Sequence, residues 1–193
     1  RGVSGEGGHV EVSLLESSLD LQFEVFTTHL NDGGKEPDRS ASNSAHAYVG
    51  APYGIYETDD GYIAIAMGEV PRLGKLLSCE VLEQYTDSKT WFSHRDEIKA
   101  HLAIHLKTQG TQYWLDILEP ADIWCSNVFS WEALRQEDGY QALDWEQEVV
   151  NSRGTALRTS RCPIRIDGAL YKSPKAAPFV GEDTVTINKE YAL

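Results

Sequence analysis

A two-strand pattern around a tight turn constrains the fold of this 193-residue chain more than any other feature. Residues 55–58 and 62–66 are apolar runs, and Asp59-Asp60-Gly61 lies between them. A turn that ends in Asp-Gly between two such runs is typical of a β-hairpin. Since side chains alternate between the two faces of a strand, we expect Ile63 and Ile65 to face a core.

The segments on either side of the hairpin are mostly helical in pattern. Ser13 and Glu16 form a capping-box pattern after a short predicted strand at 9–13, and Gly33-Gly34 ends the helix that follows. That helix places apolar side chains near one face: Leu15, Leu19, Phe23, Phe26 and Leu30. The patterns further along predict helices at 70–82, 93–108, 112–118 (with Thr111 as its cap), 131–137 and 183–191, and strands at 123–128 and 164–166.

Charge and residue usage exclude several functional classes. The net charge of −13 argues against non-specific nucleic-acid binding, which needs basic patches. No apolar stretch approaches the roughly 18 residues of a membrane span, so no membrane partner is expected. The three cysteines are widely separated, which favours reduced thiols in a cytoplasmic protein. His101 and His105 share a helix face but lack further ligands, so we expect no metal site.

Four segments, in order and spanning nearly the whole chain, resemble the family III CoA-transferases. This family includes formyl-CoA, carnitine and bile-acid CoA-transferases and acyl-CoA racemases. The matching segments are a glycine-rich turn with strand and helix (5–16), PYGIYETDDGYIAIA (52–66), a strand (121–128), and CPIRI (162–166) followed by APFVGEDT (177–184). The chain departs from the family pattern at four positions: Asp122 stands for glycine, Trp124 and Ser126 each for proline, and Asp183 for histidine.

The resemblance implies an α/β fold made of two parts. The C-terminal part of a Rossmann-like large domain would carry an inserted small α+β domain that contains the antiparallel hairpin. Residues 1–34 would be a strand and helix of the large domain, 35–47 a linker, 48–145 the small domain, and 146–193 the return to the large domain. The resemblance also implies an interlocked homodimer, or pairing with a missing N-terminal portion.

The resemblance further implies an enzyme that moves CoA between carboxylic acids through a covalent aspartyl intermediate. Its substrates would be acyl-CoA and a free acid, with no tightly bound cofactor. The catalytic aspartate lies upstream of the glycine-rich turn in the family, so we expect no catalytic residue in this chain. Two alternatives stay open: an acyl-CoA racemase or isomerase on the same fold, and a non-catalytic truncated homologue that acts as an interaction module.

The resemblance also identifies a candidate substrate loop. In the family, a glycine-containing loop before the PYG segment closes over the catalytic aspartate, and residues 44–51 match it here. A plain surface linker is the alternative interpretation of this stretch. The candidate site residues are His46, Tyr48, Gly50, Pro52, Tyr53 and Gly54.

Overall fold

The computed structural model describes residues 5, 7–43 and 46–191. Glu6 of the first motif and residues 44–45 of the predicted loop therefore lie outside the described residues. The chain divides into two compact units, Arg1–Val128 and Phe129–Leu193. The first unit contains α1 (Leu14–Asp20), α2 (Phe23–Asn31), β1 (Gly54–Glu57), β2 (Tyr62–Ile65), α3 (Val70–Leu77), α4 (Glu80–Glu83), a short 3-10 turn (Ser88–Thr90), α5 (Arg95–Leu106), α6 (Thr111–Leu118) and β3 (Cys125–Asn127).

The predicted hairpin is confirmed. β1 and β2 are antiparallel with Gly54 opposite Ile65 and Glu57 opposite Tyr62, and β3 adds to β2 to give the order β1-β2-β3. Ile63 and Ile65 are 0% and 2% exposed, as the alternation predicts. The opposite face of the sheet is left open, because Ile55 on β1 is 44% exposed.

The core of the first unit lies between this sheet and α3–α6. Proline is tolerated in the first turn of a helix, and Pro71 stands there in α3. The amphipathic helices bury one stripe each. The residues of this core include Tyr56, Ile63, Ile65, Val70, Leu73, Leu77, Leu82, Ile98, Leu102, Leu106, Trp114 and Leu118.

The start of α6 differs from the prediction. Thr111 is the first residue of the helix, and the capping carboxylate comes from Asp60 in the hairpin turn. Asp60 Oδ1 accepts hydrogen bonds from Thr111 N at 2.7 Å and from Thr111 Oγ1 at 3.0 Å. These bonds hold the pKa of the Asp60 carboxyl below its usual value, because they favour the charged form.

The N-terminal segment forms two helices where one was predicted. Ser13 caps α1, as expected, since its Oγ accepts from Glu16 N at 3.1 Å. The helix then breaks at Leu21 and Gln22, where Gln22 N donates to Leu19 O. Neither α1 nor α2 buries a residue. The predicted strand at 9–13 is not formed, since an extended segment needs a neighbouring strand to satisfy its backbone groups.

The second unit is built mainly of short hairpins and helices. A β-hairpin joins Glu146–Val150 to Ala156–Ser160 in antiparallel register, and the sequence patterns had indicated no strand at Glu146–Val150. The helix predicted at 183–191 is confirmed at Thr184–Tyr191. The elements are α7 (Trp131–Leu134), α8 (Asp138–Ala142), β4 (Glu146–Val150), β5 (Ala156–Ser160), β6 (Arg165–Ile166), β7 (Ala169–Leu170) and α9 (Thr184–Tyr191).

The fold is therefore mixed α/β with small antiparallel sheets. None of the helices that the structure describes is long and apolar enough to cross a membrane.

Candidate functional site

The described part of the predicted loop begins with His46 and Tyr48, which contact each other. His46 Nδ1 accepts a hydrogen bond from Tyr48 N at 3.1 Å, and the two rings lie 6.4 Å apart. His46 Nε2 lies 4.0 Å from a carboxylate oxygen of Glu24 on α2. The first loop residues are therefore tied to one another and approach α2.

Tyr48 carries a polar atom that the described structure leaves unused. Its hydroxyl oxygen is buried and has no hydrogen-bond partner among the described residues. Burial and the negative charges of Asp32 and Glu36 raise the pKa of the Tyr48 phenol. The Asp32 carboxylate is close enough for this effect but lies outside hydrogen-bond geometry. Like an ordinary tyrosine, Tyr48 is protonated at neutral pH, so its hydroxyl group is suited to donate a hydrogen bond to an oxygen atom of a ligand.

Both candidate glycines lie close against backbone, and at Gly54 a side chain would collide with it. A Cβ on Gly50 would lie 3.3 Å from Phe92 N, just before α5. A Cβ on Gly54 would lie 2.5 Å from the carbonyl oxygen of Asn43. Pro52, between them, is fully buried and follows a cis peptide bond, and its carbonyl accepts from Tyr56 Oη. The segment 50–54 is therefore a closely packed turn that leads directly into β1.

Tyr53 and Gly54 open onto a cavity of about 640 Å³ at the open face of the sheet. Sequence reasoning did not identify the other lining residues, although the alternation that buries Ile63 and Ile65 places Ile55 and Ala64 on this face. His46, Tyr48, Gly50 and Pro52 do not line it. The remaining lining residues are Ile55, Ala64, Ile65, Ala66, Glu119, Asp122, Ile123, Trp124, Cys125 and Ser126.

Three of the four departures from the family pattern line this cavity, namely Asp122, Trp124 and Ser126. Asp122 has a φ of 58°, in the left-handed region that favours the glycine of the family pattern. Trp124 is 76% exposed, so its indole is available to a ligand. The lining of the cavity is mostly apolar, and Glu119 and Asp122 are its acidic members.

Cys125 in this cavity is a poor nucleophile. Burial, and then the charge of Glu119, raise the pKa of the Cys125 thiol. A raised pKa keeps sulfur in the thiol form, and the thiolate is the reactive species. The cavity therefore offers shape and apolar surface, with no activated nucleophile from cysteine.

Asp32, Asp60 and His105 each have a local structural partner. Asp32 accepts from Lys35 N at 3.3 Å, and Asp60 caps α6. His105 Nε2 donates to Leu77 O at 2.8 Å. Across the described ranges, no group of three or more His, Cys, Asp or Glu residues is placed to hold a metal ion.

Comparisons with known proteins agree with these observations. The family described as CoA-transferase family III has a model that matches residues 1–184. The crystal structure of Rv3272 from Mycobacterium tuberculosis superposes with a TM-score of 0.66 at 20% identity, covering 96% of this chain and 49% of that chain. A CAIB/BAIF family protein from Brucella suis gives a TM-score of 0.68 at 22% identity, with 98% and 50% covered. No curated protein matches the chain. The chain thus spans about half the length of these structural relatives, whose similarity shows a shared fold.

Proposed function

The chain belongs to CoA-transferase family III, and we therefore propose that it is the C-terminal portion of an enzyme that moves CoA between carboxylic acids. The observation that carries the proposal is the family match over residues 1–184, which includes all four motif segments. CoA thioesters are the substrates of this family, so an acyl-CoA and a free acid are the expected reactants. The PYG segment and the cavity beside it are the parts of the site that this chain would supply.

The proposed chemistry uses an aspartate outside residues 1–193. Its carboxylate attacks the thioester carbonyl, which breaks the carbon–sulfur bond, forms a mixed anhydride and releases CoA thiolate. The thiolate then attacks the aspartyl carbonyl, which forms an aspartyl-CoA thioester and releases the donor acid. The acceptor carboxylate attacks the aspartyl-CoA carbonyl, which breaks the carbon–sulfur bond, forms a new mixed anhydride and releases CoA thiolate. The thiolate then attacks the acyl carbonyl of this anhydride, which forms the new acyl-CoA and releases the aspartate carboxylate.

The four aspartates at the N-terminal helices and the hairpin turn are poorly suited to that role. Asp60 is held by Thr111 and has a lowered pKa, and Asp32 binds the backbone of Lys35. Asp20 and Asp59 are exposed at a helix end and a turn. An anhydride formed at the surface would be open to water, and transfer requires that water be excluded.

The described part of the predicted loop, residues 46–51, and the turn that follows it to residue 54 are together called the loop at residues 46–54, and this loop is the proposed wall that excludes water from the intermediates. Its closely packed turn at 50–54 and the protonated phenol of Tyr48 support this role, because a wall needs fixed backbone and a donor for substrate oxygen. Loop closure of this kind favours transfer to an acid over hydrolysis.

Cys79, Cys125 and Cys162 are free thiols, which supports a cytoplasmic location for the enzyme.

The partner in this proposal is a second copy of the chain or an N-terminal portion of the same protein, packed on α1 and α2 in a Rossmann-like domain. These helices expose large apolar side chains: Leu14, Leu15, Phe23 and Leu30. Covering each would contribute roughly 1.5–3 kcal/mol. Light scattering of the 193-residue chain at low micromolar concentration is expected to show association, and a monodisperse monomer of 21.5 kDa would contradict the proposed partner.

The test of the function is an exchange assay with a labelled free acid and an unlabelled acyl-CoA. We expect the protein, as its own cells make it, to move CoA onto the labelled acid, and the 193-residue chain alone to be inactive. Turnover by the 193-residue chain that is lost on changing one of its own aspartates would contradict the placement of the nucleophile. Deuterium incorporation at the α-carbon without acid exchange would identify a racemase instead.

A further inference from the structure

The segment that precedes the loop is held by side chains from the first turns of α5. We call residues 38–43 the arm. Arg95 Nη2 donates to Asp38 O at 2.7 Å and lies 3.2 Å from the Asp38 carboxylate. Asp96 Oδ1 accepts from Ala41 N at 2.8 Å. Lys99 Nζ donates to Ser40 Oγ at 3.0 Å and to Asn43 O at 3.4 Å. Three side chains of one helix therefore fix the arm along its length.

Lys99 is unusual because it is almost fully buried, with 1% of its surface exposed. Burial, and then the charge of Arg95, lower the pKa of its ammonium group. A buried cation is costly unless its hydrogen-bond donors are satisfied. The arm supplies two hydrogen-bond acceptors for the Lys99 ammonium group, Ser40 Oγ and Asn43 O, and Ser40 is itself buried. Releasing the arm would leave Lys99 with two fewer partners, so the helix and the arm stabilise each other.

Asn43 connects the arm to the C-terminal end of the loop. Its side-chain nitrogen donates to Ile55 O on β1 at 2.7 Å, while its carbonyl faces both Lys99 Nζ and the bare Cα of Gly54. Asn43 has a φ of 53°, which asparagine tolerates better than most residues. The two ends of the loop are thus held together, because Asn43 just before it contacts both Gly54 at its end and Ile55 after it.

The middle of the loop contacts the same region of the chain. Gly50 lies against the backbone of Phe92, and the Arg95 guanidinium lies 4.3 Å from the centre of the Phe92 ring. The residues that hold the arm and the surface that receives the loop are therefore contiguous. Movement of the start of α5 would displace both.

We propose that Arg95, Asp96 and Lys99, which we name the α5 clamp, are positioning residues that set the conformation of the loop at residues 46–54. The three clamp side chains contact the arm at Asp38, Ser40, Ala41 and Asn43, and they act on the loop through these arm residues. The effect of the α5 clamp on catalysis rests on the proposed function, in which the loop shields intermediates from water. Its effect on the conformation of the arm is independent of that function.

The first test is limited proteolysis by trypsin, followed by mass spectrometry of the cut sites. Arg39 precedes the buried Ser40, and Lys35 lies outside the arm, so cleavage after Lys35 is an internal control. We expect Lys99→Met and Asp96→Ala each to speed cleavage after Arg39 by about fivefold to tenfold, as loss of one or two hydrogen bonds implies, with cleavage after Lys35 unchanged.

Matched variants separate the clamp from general loosening. Asp96→Asn retains an acceptor for Ala41 N and is expected to restore protection of Arg39. Glu97→Ala removes a carboxylate from the same helical turn without touching the arm and is expected to have no effect. Unchanged cleavage after Arg39 in both Lys99→Met and Asp96→Ala, or an equal rise after Lys35, would overturn the proposal.

The second test measures the ratio of acyl-CoA hydrolysis to CoA transfer in the protein as its own cells make it. Lys99→Met is expected to raise this ratio severalfold, because a loosened loop admits water. A mere loss of folded protein would lower both rates together. An unchanged ratio beside a released arm would overturn the positioning role. Absence of transfer in the unaltered protein would refute the proposed function alone, since the proteolysis still decides whether the clamp exists.

Discussion

The first unit buries the side chains of β1, β2 and α3–α6 in one core, whereas the second buries only Val149 and Arg161 among its described residues. In the first unit, α5 alone contributes three apolar side chains that are 0% exposed: Ile98, Leu102 and Leu106. In the second, Leu157 of the β4–β5 hairpin is 54% exposed, although the hairpin is well formed. Regular secondary structure therefore does not by itself report a packed core.

The second unit is organised largely by polar contacts. Arg161 donates to the carbonyls of Leu143, Asp144 and Cys162, and its guanidinium lies over the Trp145 ring. Glu146 accepts from Arg135 and from Tyr140. Such contacts fix local geometry but leave apolar surface in water, and that surface is available to a partner. The two units therefore differ in what organises them: β1, β2 and α3–α6 of the first unit share an apolar core, whereas the second unit is ordered mainly by hydrogen bonds and ion pairs.

The largest expected effect comes from truncating the core. Leu102→Ala is expected to lower the free energy of unfolding of the first unit by about 2–5 kcal/mol, the usual cost of a cavity at a buried leucine. Leu157→Ala in the second unit is expected to cost less than about 0.5 kcal/mol. Native-state hydrogen exchange, which resolves each unit, makes the measurement. A similar loss at both positions would show that Leu157 is covered in solution.

A glycine in the candidate site is the next most sensitive position. Gly54→Ala is expected to destabilise the first unit by about 1–3 kcal/mol, because its Cβ would meet the Asn43 carbonyl at 2.5 Å. Gly68→Ala is the matched control, since nothing lies within 4 Å of its added Cβ. Urea unfolding measures both. If Gly54→Ala were as stable as Gly68→Ala, the arm would not lie against β1.

Removing the polar centre of the second unit tests the other half of the comparison. Arg161→Ala is expected to cost about 1–3 kcal/mol, because three carbonyls lose a charged donor. Arg158→Ala is the control, as its side chain is 71% exposed and lies 4.0 Å from Glu146. Hydrogen exchange of the β4–β5 amides is the readout. Equal protection in the two variants would contradict an organising role for Arg161.

The smallest expected effect depends on pH. Asp60 has a lowered pKa in the folded protein, so its contribution to stability is complete above its unfolded pKa and is lost as the pH falls through its folded pKa. Asp60→Ala is therefore expected to lower the urea midpoint at neutral pH, and the difference is expected to shrink in acid. Asp59→Ala, in the same turn, is expected to leave the midpoint unchanged. A difference that persists in acid would assign the effect to packing.

The sequence predicted those features that depend on neighbouring residues. The hairpin follows from alternation around Asp59-Asp60-Gly61, and the Ser13 cap follows from the spacing to Glu16. Helix capping by Asp60 and the anchoring of the arm by Lys99 were not predicted, because each joins residues more than fifty positions apart. No local pattern records such a pairing.

The candidate site could likewise be predicted only where it depends on neighbouring residues. The family pattern identified the PYG segment, and the structure brings Tyr53 and Gly54 of this segment to the cavity. The rest of the cavity comes from β2 and from residues 119–126, and only the fold brings these to the same face. The sequence predicts only a linker at residues 35–47. The hydrogen bonds that fix this segment could not be predicted, because they are made by side chains of a distant helix.

The cap that Asp60 provides for α6 has a consequence for the order in which the chain folds. The first N–H of α6 is bonded to a carboxylate 51 residues earlier in the chain. Closing a loop of that length costs conformational entropy before any contact repays it, and an eight-residue helix is marginal on its own. We therefore expect the β1–β2 hairpin to form first and the Thr111 amide to gain protection late in refolding, which pulse-labelling by hydrogen exchange would time.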